Sequence, residues 1–185
     1  MSNKKKYFCT MKKYIRLMVP AFSILLLMNA CSNEEETTKD KFSTENNFEE
    51  ISYWTEIPSV IKSSARSGHY CTFTDESHPY TATLKLPYAE LKKLNAQKIT
   101  ASAWLKSDQR YPSSKLVISV EANGKNFYWN GSDSTMVSSQ TSEWREIKIE
   151  GIIPAETPES ATIIFYGWNT GKDFVLWDDF KLTAN

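Results

Sequence analysis

From Phe48 to the C-terminus, apolar and polar residues alternate in short runs set apart by turn-forming residues. Residues 81–86, 99–106, 115–121, 126–130, 145–150, 161–168 and 174–182 are rich in β-branched and aromatic side chains and read as strands. Only residues 88–95 show a helical pattern, over barely two turns. Strands that follow one another without long intervening helices form antiparallel sheets, and two such sheets bury their apolar faces as a sandwich. The sequence therefore predicts an all-β protein, an antiparallel β-sandwich.

The alternation also assigns faces. Asn123-Gly124 is a strong hairpin signal, because both turn positions need positive φ. A two-residue loop there pairs Val120 with Phe127, Ser119 with Tyr128, and Ile118 with Trp129. On that register Leu116, Ile118, Val120, Phe127 and Trp129 face the core, while Tyr128 points outward. Ala161, Ile163 and Phe165 form an inward set, which leaves Tyr166 and Trp168 outside. Ile99, Ala101, Ala103 and Leu105 do the same for their strand and leave Trp104 outside. If these outer faces share one sheet, Trp104, Tyr128, Tyr166 and Trp168 line a common aromatic surface. Such a surface can stack against the C–H faces of sugar rings, or it can pack beneath loops or a partner protein. Arg110, Tyr111 and Asn169 are candidate polar or loop-borne helpers.

Before Phe48 the composition changes. Lys4, Lys5, Lys6, Lys12, Lys13 and Arg16 precede Cys31, and no Asp or Glu does. A basic start and an apolar run from Leu17 to Met28, too short to span a bilayer stably, have the layout of a secretory signal. The formal net charge of the whole chain is zero, from 22 basic and 22 acidic residues, so removing these six basic residues leaves about −6. That balance excludes nucleic acid as a partner, since phosphate neutralisation needs clustered Lys and Arg. Leu27-Met28-Asn29-Ala30-Cys31 resembles a lipoprotein signal-peptidase box, which implies acylation of Cys31 and attachment to the membrane through lipid alone. Glu34-Glu35-Glu36 directly after it resembles the surface-export signal of Bacteroidetes lipoproteins, which implies an outer-membrane, cell-surface location. The division expected is a signal peptide at 1–30, a flexible acidic tether at 31–46 and a folded domain at 47–185. Cys71 then has no internal partner for a disulfide and is expected to be a buried strand residue.

Five motifs recur in order along the domain. They are Asn47-Phe48-Glu49, Arg66-Ser67-Gly68-His69-Tyr70, Ser102-Ala103-Trp104-Leu105-Lys106, Ser142-Glu143-Trp144-Arg145-Glu146-Ile147 and Trp177-Asp178-Asp179-Phe180-Lys181-Leu182. Their order resembles the galactose-binding-like jelly-roll superfamily, in particular carbohydrate-binding modules of the family 4, 9 and 22 type. The resemblance implies a jelly roll, a poly- or oligosaccharide ligand and a structural calcium held by Glu49, Asp178 and a carbonyl at Ser67 or Gly68. Parity supports the calcium independently: Asp178 shares the register of Phe180 and Leu182, so its carboxylate should point inward, where it needs a cation or another partner. The alternative for Asp178 is that it caps backbone amides or pairs with Lys or Arg at the sheet end.

No Gly-x-Ser-x-Gly elbow, His-Glu-x-x-His or phosphate loop occurs. His69 and His78 read as surface or satisfied histidines. The sequence thus points to a non-catalytic glycan-binding lipoprotein, with a protein-interaction domain of the cell envelope as the competing reading.

Overall fold

The computed structural model describes residues 41–50, 54–55, 59–133 and 141–185. The leader, Cys31 and Glu34–Glu36 lie outside these residues. The described chain forms eleven strands and one short helix. The strands are β1 Phe42–Asn46, β2 Trp54–Thr55, β3 Val60–Lys62, β4 Tyr70–Thr74, β5 Thr83–Pro87, β6 Lys98–Lys106, β7 Ser114–Ala122, β8 Lys125–Asp133, β9 Arg145–Ile152, β10 Thr162–Asn169 and β11 Val175–Ala184. Helix α1, Tyr88–Lys93, follows β5, with Pro87 at its N-cap and Lys92 and Lys93 in its last turn. No helix among the described residues is long and apolar enough to cross a membrane.

Two antiparallel sheets make the jelly-roll sandwich. Sheet A runs β3-β4-β11-β6-β9, with β1 added alongside the second half of β11; sheet B runs β2-β5-β10-β7-β8. The core between them follows the expected alternation on the long strands. Ile99, Ala101, Ala103 and Leu105 of β6 meet Leu116, Ile118, Val120, Ile163 and Phe165 from sheet B. Trp54 and Phe180 pack against Phe165, and Phe48 packs edge to face against both of them, with ring centroids 5.3–6.1 Å apart. Cys71 is fully buried and unbridged, as expected, and burial pushes its thiol up to about 11.

Three expectations are corrected here. The stretch 42–46, assigned to the tether, is strand β1, paired from Phe42 with Ala184 to Asn46 with Phe180. Its one aromatic gave no alternation to read, and backbone pairing to the last strand supplies the order that composition does not.

The second correction is the β7–β8 register. The Asn123-Gly124 turn forms, with φ of 51° and 73°. Ala122 pairs with Lys125 and Glu121 with Asn126, but the ladder then slips, and Val120 pairs with Tyr128, Ser119 with Trp129 and Ile118 with Asn130. Phe127 is the extra residue of a β-bulge, and beyond it every side chain is on the face opposite to the one predicted. Tyr128 therefore turns inward against the core and Trp129 turns outward, 46 % exposed.

The third correction is a bulge in β11. Trp104 pairs with Asp178, the register shifts, and Ser102 pairs with Lys181. Asp179 sits at a φ of 47°. The extra residue lets Trp177 and Phe180, three apart, both reach the core. Asp178 therefore shares the outer face with Trp104 and does not point into the sandwich.

Candidate functional site

The outer face of sheet B collects aromatic rings. Lys115, Val117, Ser119 and Glu121 are the outward residues of β7, because Leu116, Ile118 and Val120 between them fill the core. Their cross-strand partners are Trp168, Tyr166 and Ile164 on β10 and Trp129 on β8. Tyr80 joins them through a bridge to Trp168 just before β5. Its ring lies 6.5 Å from that of Trp168, nearly parallel, and 5.7 Å from that of Tyr166, edge on.

Local packing fixes these rings. Val117 is fully buried although it lies outside the core, so the rings cover it from the solvent side. Gly131 makes room for one of them: a Cβ there would come within 2.7 Å of the Trp129 ring. Burial raises the Tyr166 pKa, and the neighbouring Trp129 indole opposes that rise. Ser119, also buried, donates to Glu121 Oε1 at 3.0 Å and so aims a carboxylate along the platform. Beside the rings, a hollow of about 200 Å³ is lined by Tyr80, Thr83, Lys85, Glu121, Ile164 and Tyr166. Fixed rings with a few polar groups at their margin are suited to a ligand with both C–H faces and hydroxyls.

Of the residues singled out by sequence, Tyr166 and Trp168 belong to this face. Tyr128 does not; its hydroxyl donates to the Glu150 carbonyl across the seam between the two sheets. Trp104 lies on sheet A, on the other side of the sandwich. Asn169 is buried, with its amide donating to the Asp173 carbonyl at 2.6 Å and its carbonyl oxygen accepting from the Gly171 N–H at 3.0 Å. Both ends are used in holding the β10–β11 turn. Arg110 and Tyr111 pair in the β6–β7 loop at 5.4 Å, with Tyr111 57 % exposed. Tyr80, Trp129 and Glu121 were not among the sequence candidates.

The residues expected to hold calcium do converge, in a different role. Asp178 Oδ2 accepts the backbone N–H groups of Arg66 at 2.7 Å and Ser67 at 3.1 Å, and its Oδ1 accepts that of Asp179 at 2.8 Å. Glu49 Oε1 accepts those of His69 at 2.5 Å and Tyr70 at 2.7 Å. A Cβ on Gly68, whose φ is 63°, would run into the Glu49 carboxylate. Burial pushes the Asp178 carboxyl up to about 6, while the amides hold that of Glu49 below the usual range.

These oxygens face N–H donors where a cation needs lone pairs. Among the described residues, no group of three or more His, Cys, Asp or Glu is placed to hold a metal ion. The arrangement does not fit calcium and matches the amide-capping alternative.

The comparisons with known proteins bear on the fold. No protein-family model matches the chain, and no curated protein does. Among solved structures, the CBM22-1–CBM22-2 tandem domain of Paenibacillus barcinonensis Xyn10C is similar at 16 % identity and a TM-score of 0.54, over 83 % of this chain and 51 % of that one. The single CBM22-2 xylan-binding domain of the same protein gives 15 % identity and a TM-score of 0.49, over 78 % and 99 % of the two chains. TmCBM61 in complex with β-1,4-galactotriose gives 16 % and 0.39, over 81 % and 93 %. The likeness to the tandem domain shows a shared jelly-roll sandwich.

Proposed function

We propose that this protein is a non-catalytic carbohydrate-binding lipoprotein that captures glycan at the cell surface along the outer face of sheet B. The observation that carries the reading is the ring set of Tyr80, Trp129, Tyr166 and Trp168, fixed on one open sheet face with Glu121 at its margin. Rings stacked against sugar C–H faces supply contact area, while carboxylate and hydroxyl groups orient the sugar hydroxyls. The tandem domain that shares the fold consists of carbohydrate-binding modules, which is consistent with this ligand class. In the proposal the chain is attached through acylated Cys31, and a binder that performs no chemistry is useful because of where it is held.

Glycan-array and affinity-gel binding of the purified protein test the proposal. Trp129→Ala and Trp168→Ala should each lose binding while keeping the circular-dichroism spectrum. Normal binding by both variants, or no binding to any glycan by the unaltered protein, would sink it. Palmitate labelling that disappears in Cys31→Ala tests the anchor.

A further inference from the structure

We infer that the outer face of sheet A carries a second, separate groove for a short neutral oligosaccharide, built on Trp104 and Arg66. The groove lies where the β11 ladder is interrupted, and it measures about 450 Å³. That is within the usual range of small-molecule sites, about 300–1,000 Å³. Trp104 and Ser102 reach it from β6, Glu146 from β9, and Asp179 and Lys181 from β11. Asn46 and Asn47 close one end.

The aromatic side of the groove is already set. The Arg66 guanidinium lies 3.7 Å above the Trp104 ring and pairs with Asp179, and the Asp178 carboxylate holds the backbone beneath it. Arg66 and Trp104 thus form one rigid stacked unit that needs little ordering on binding.

The polar lining selects the ligand class. Three carboxylates, Glu45, Glu146 and Asp179, face two cations, Arg66 and Lys181, so neither an anion nor a cation is favoured outright. The side-chain oxygens of Asn46 and Asn47 already accept the N–H groups of Phe48 and Glu49, which leaves their NH₂ groups as donors. Closely spaced donors and acceptors beside one aromatic unit match a polyhydroxylated, uncharged molecule. The inference rests on these residues and not on the sheet B reading.

The test is a titration of the full-length protein with β-1,4-linked hexaoses of xylose, glucose, mannose and galactose. It is read by the tryptophan indole N–H signals in NMR and by calorimetric stoichiometry. At least one sugar should move the Trp104 signal, and it should bind tenfold or more weakly at this site in Trp104→Ala. Because that change also unseats Arg66, Ser102→Trp provides a second variant, which fills the groove and leaves the stacked pair alone. It should abolish the Trp104 response and spare those of Trp129 and Trp168. A Trp104 signal that no sugar moves, or an unchanged response in Ser102→Trp, overturns the inference. Movement of Trp104 without movement of Trp129 or Trp168 supports it and counts against the sheet B proposal.

Discussion

The two outer faces of the sandwich each carry tryptophan, and they treat it differently. On sheet B, Trp129 and Trp168 lie among other rings, over a buried valine, with one carboxylate at the margin. On sheet A, Trp104 lies under an arginine that is pinned by Asp179 and, through its backbone, by Asp178. Both rest on antiparallel ladders that a bulge interrupts nearby. What separates them is the loop between β3 and β4. Acidic side chains draw residues 66–70 across sheet A, and no comparable clamp is seen on the rings of sheet B among the described residues. An aromatic residue on a strand becomes a platform or a seat according to what the neighbouring loop lays on it.

The most damaging way to break this contrast is to remove the clamp. Asp178→Ala leaves three part-buried amides without the buried carboxylate that accepts from them. Chemical denaturation should show a loss of about 3 kcal/mol, and the Arg66–Trp104 contact should disappear with it. Retained stability would mean that the carboxylate is not what holds the loop. Next in size, Trp168→Ala or Trp129→Ala should weaken glycan binding by about 2 kcal/mol, roughly thirtyfold, with little change in melting temperature.

Tyr128→Phe should do neither. It removes a long, exposed hydrogen bond to Glu150, so a loss below about 0.5 kcal/mol and unaltered binding are expected. A clear drop in glycan affinity would mean that Tyr128 belongs to the platform after all.

The pH dependence sharpens the contrast further. Asp178 is raised to about 6, so between pH 4 and 6 the unfolded chain gives up this proton before the folded one does. Its contribution to stability therefore falls as pH rises through that window. Glu49, held below its usual value, acts in the opposite direction near pH 4 and loses its contribution as pH falls. The stability advantage of the unaltered protein over Asp178→Asn should thus shrink from pH 4.5 to 6.5 in paired thermal melts. A widening gap would contradict the assignment. The smallest effect expected is that of calcium: melts with the ion and with chelator should coincide, and a stabilising shift would restore a cation to Glu49 and Asp178.

The long strands were legible because burial on one side imposes a period of two. Residues 99–105 and 161–168 obey it without interruption, and their inward sets are those expected. The wrong facing of Tyr128 with Trp129 and that of Asp178 arose where that period breaks. Three consecutive aromatics, Phe127-Tyr128-Trp129, cannot alternate cleanly on a ladder, and the bulge at Phe127 resolves them. Trp177 and Phe180 are both fully buried at a spacing of three, which a regular strand forbids, so the chain between them must hold one extra residue. Each signal was present in the sequence, but extending parity through it reversed Tyr128, Trp129 and Asp178. Tyr80 gave no such signal, since it reaches the face from a single bridge outside the strands. Strands β1 to β3 were hidden because five, two and three residues show too little alternation to read.

The seam between β1 and β11 has a mechanical consequence. Any pull on the chain leading into residue 41 enters the fold at Phe42, opposite Ala184, at one end of a five-rung ladder. Drawn lengthwise, the rungs share the load; drawn sideways, they open in succession, like a zip. Because β11 also pairs with β4 and β6, it stays seated when β1 leaves. β1 is thus the strand that can peel away first, with β11 still held between β4 and β6.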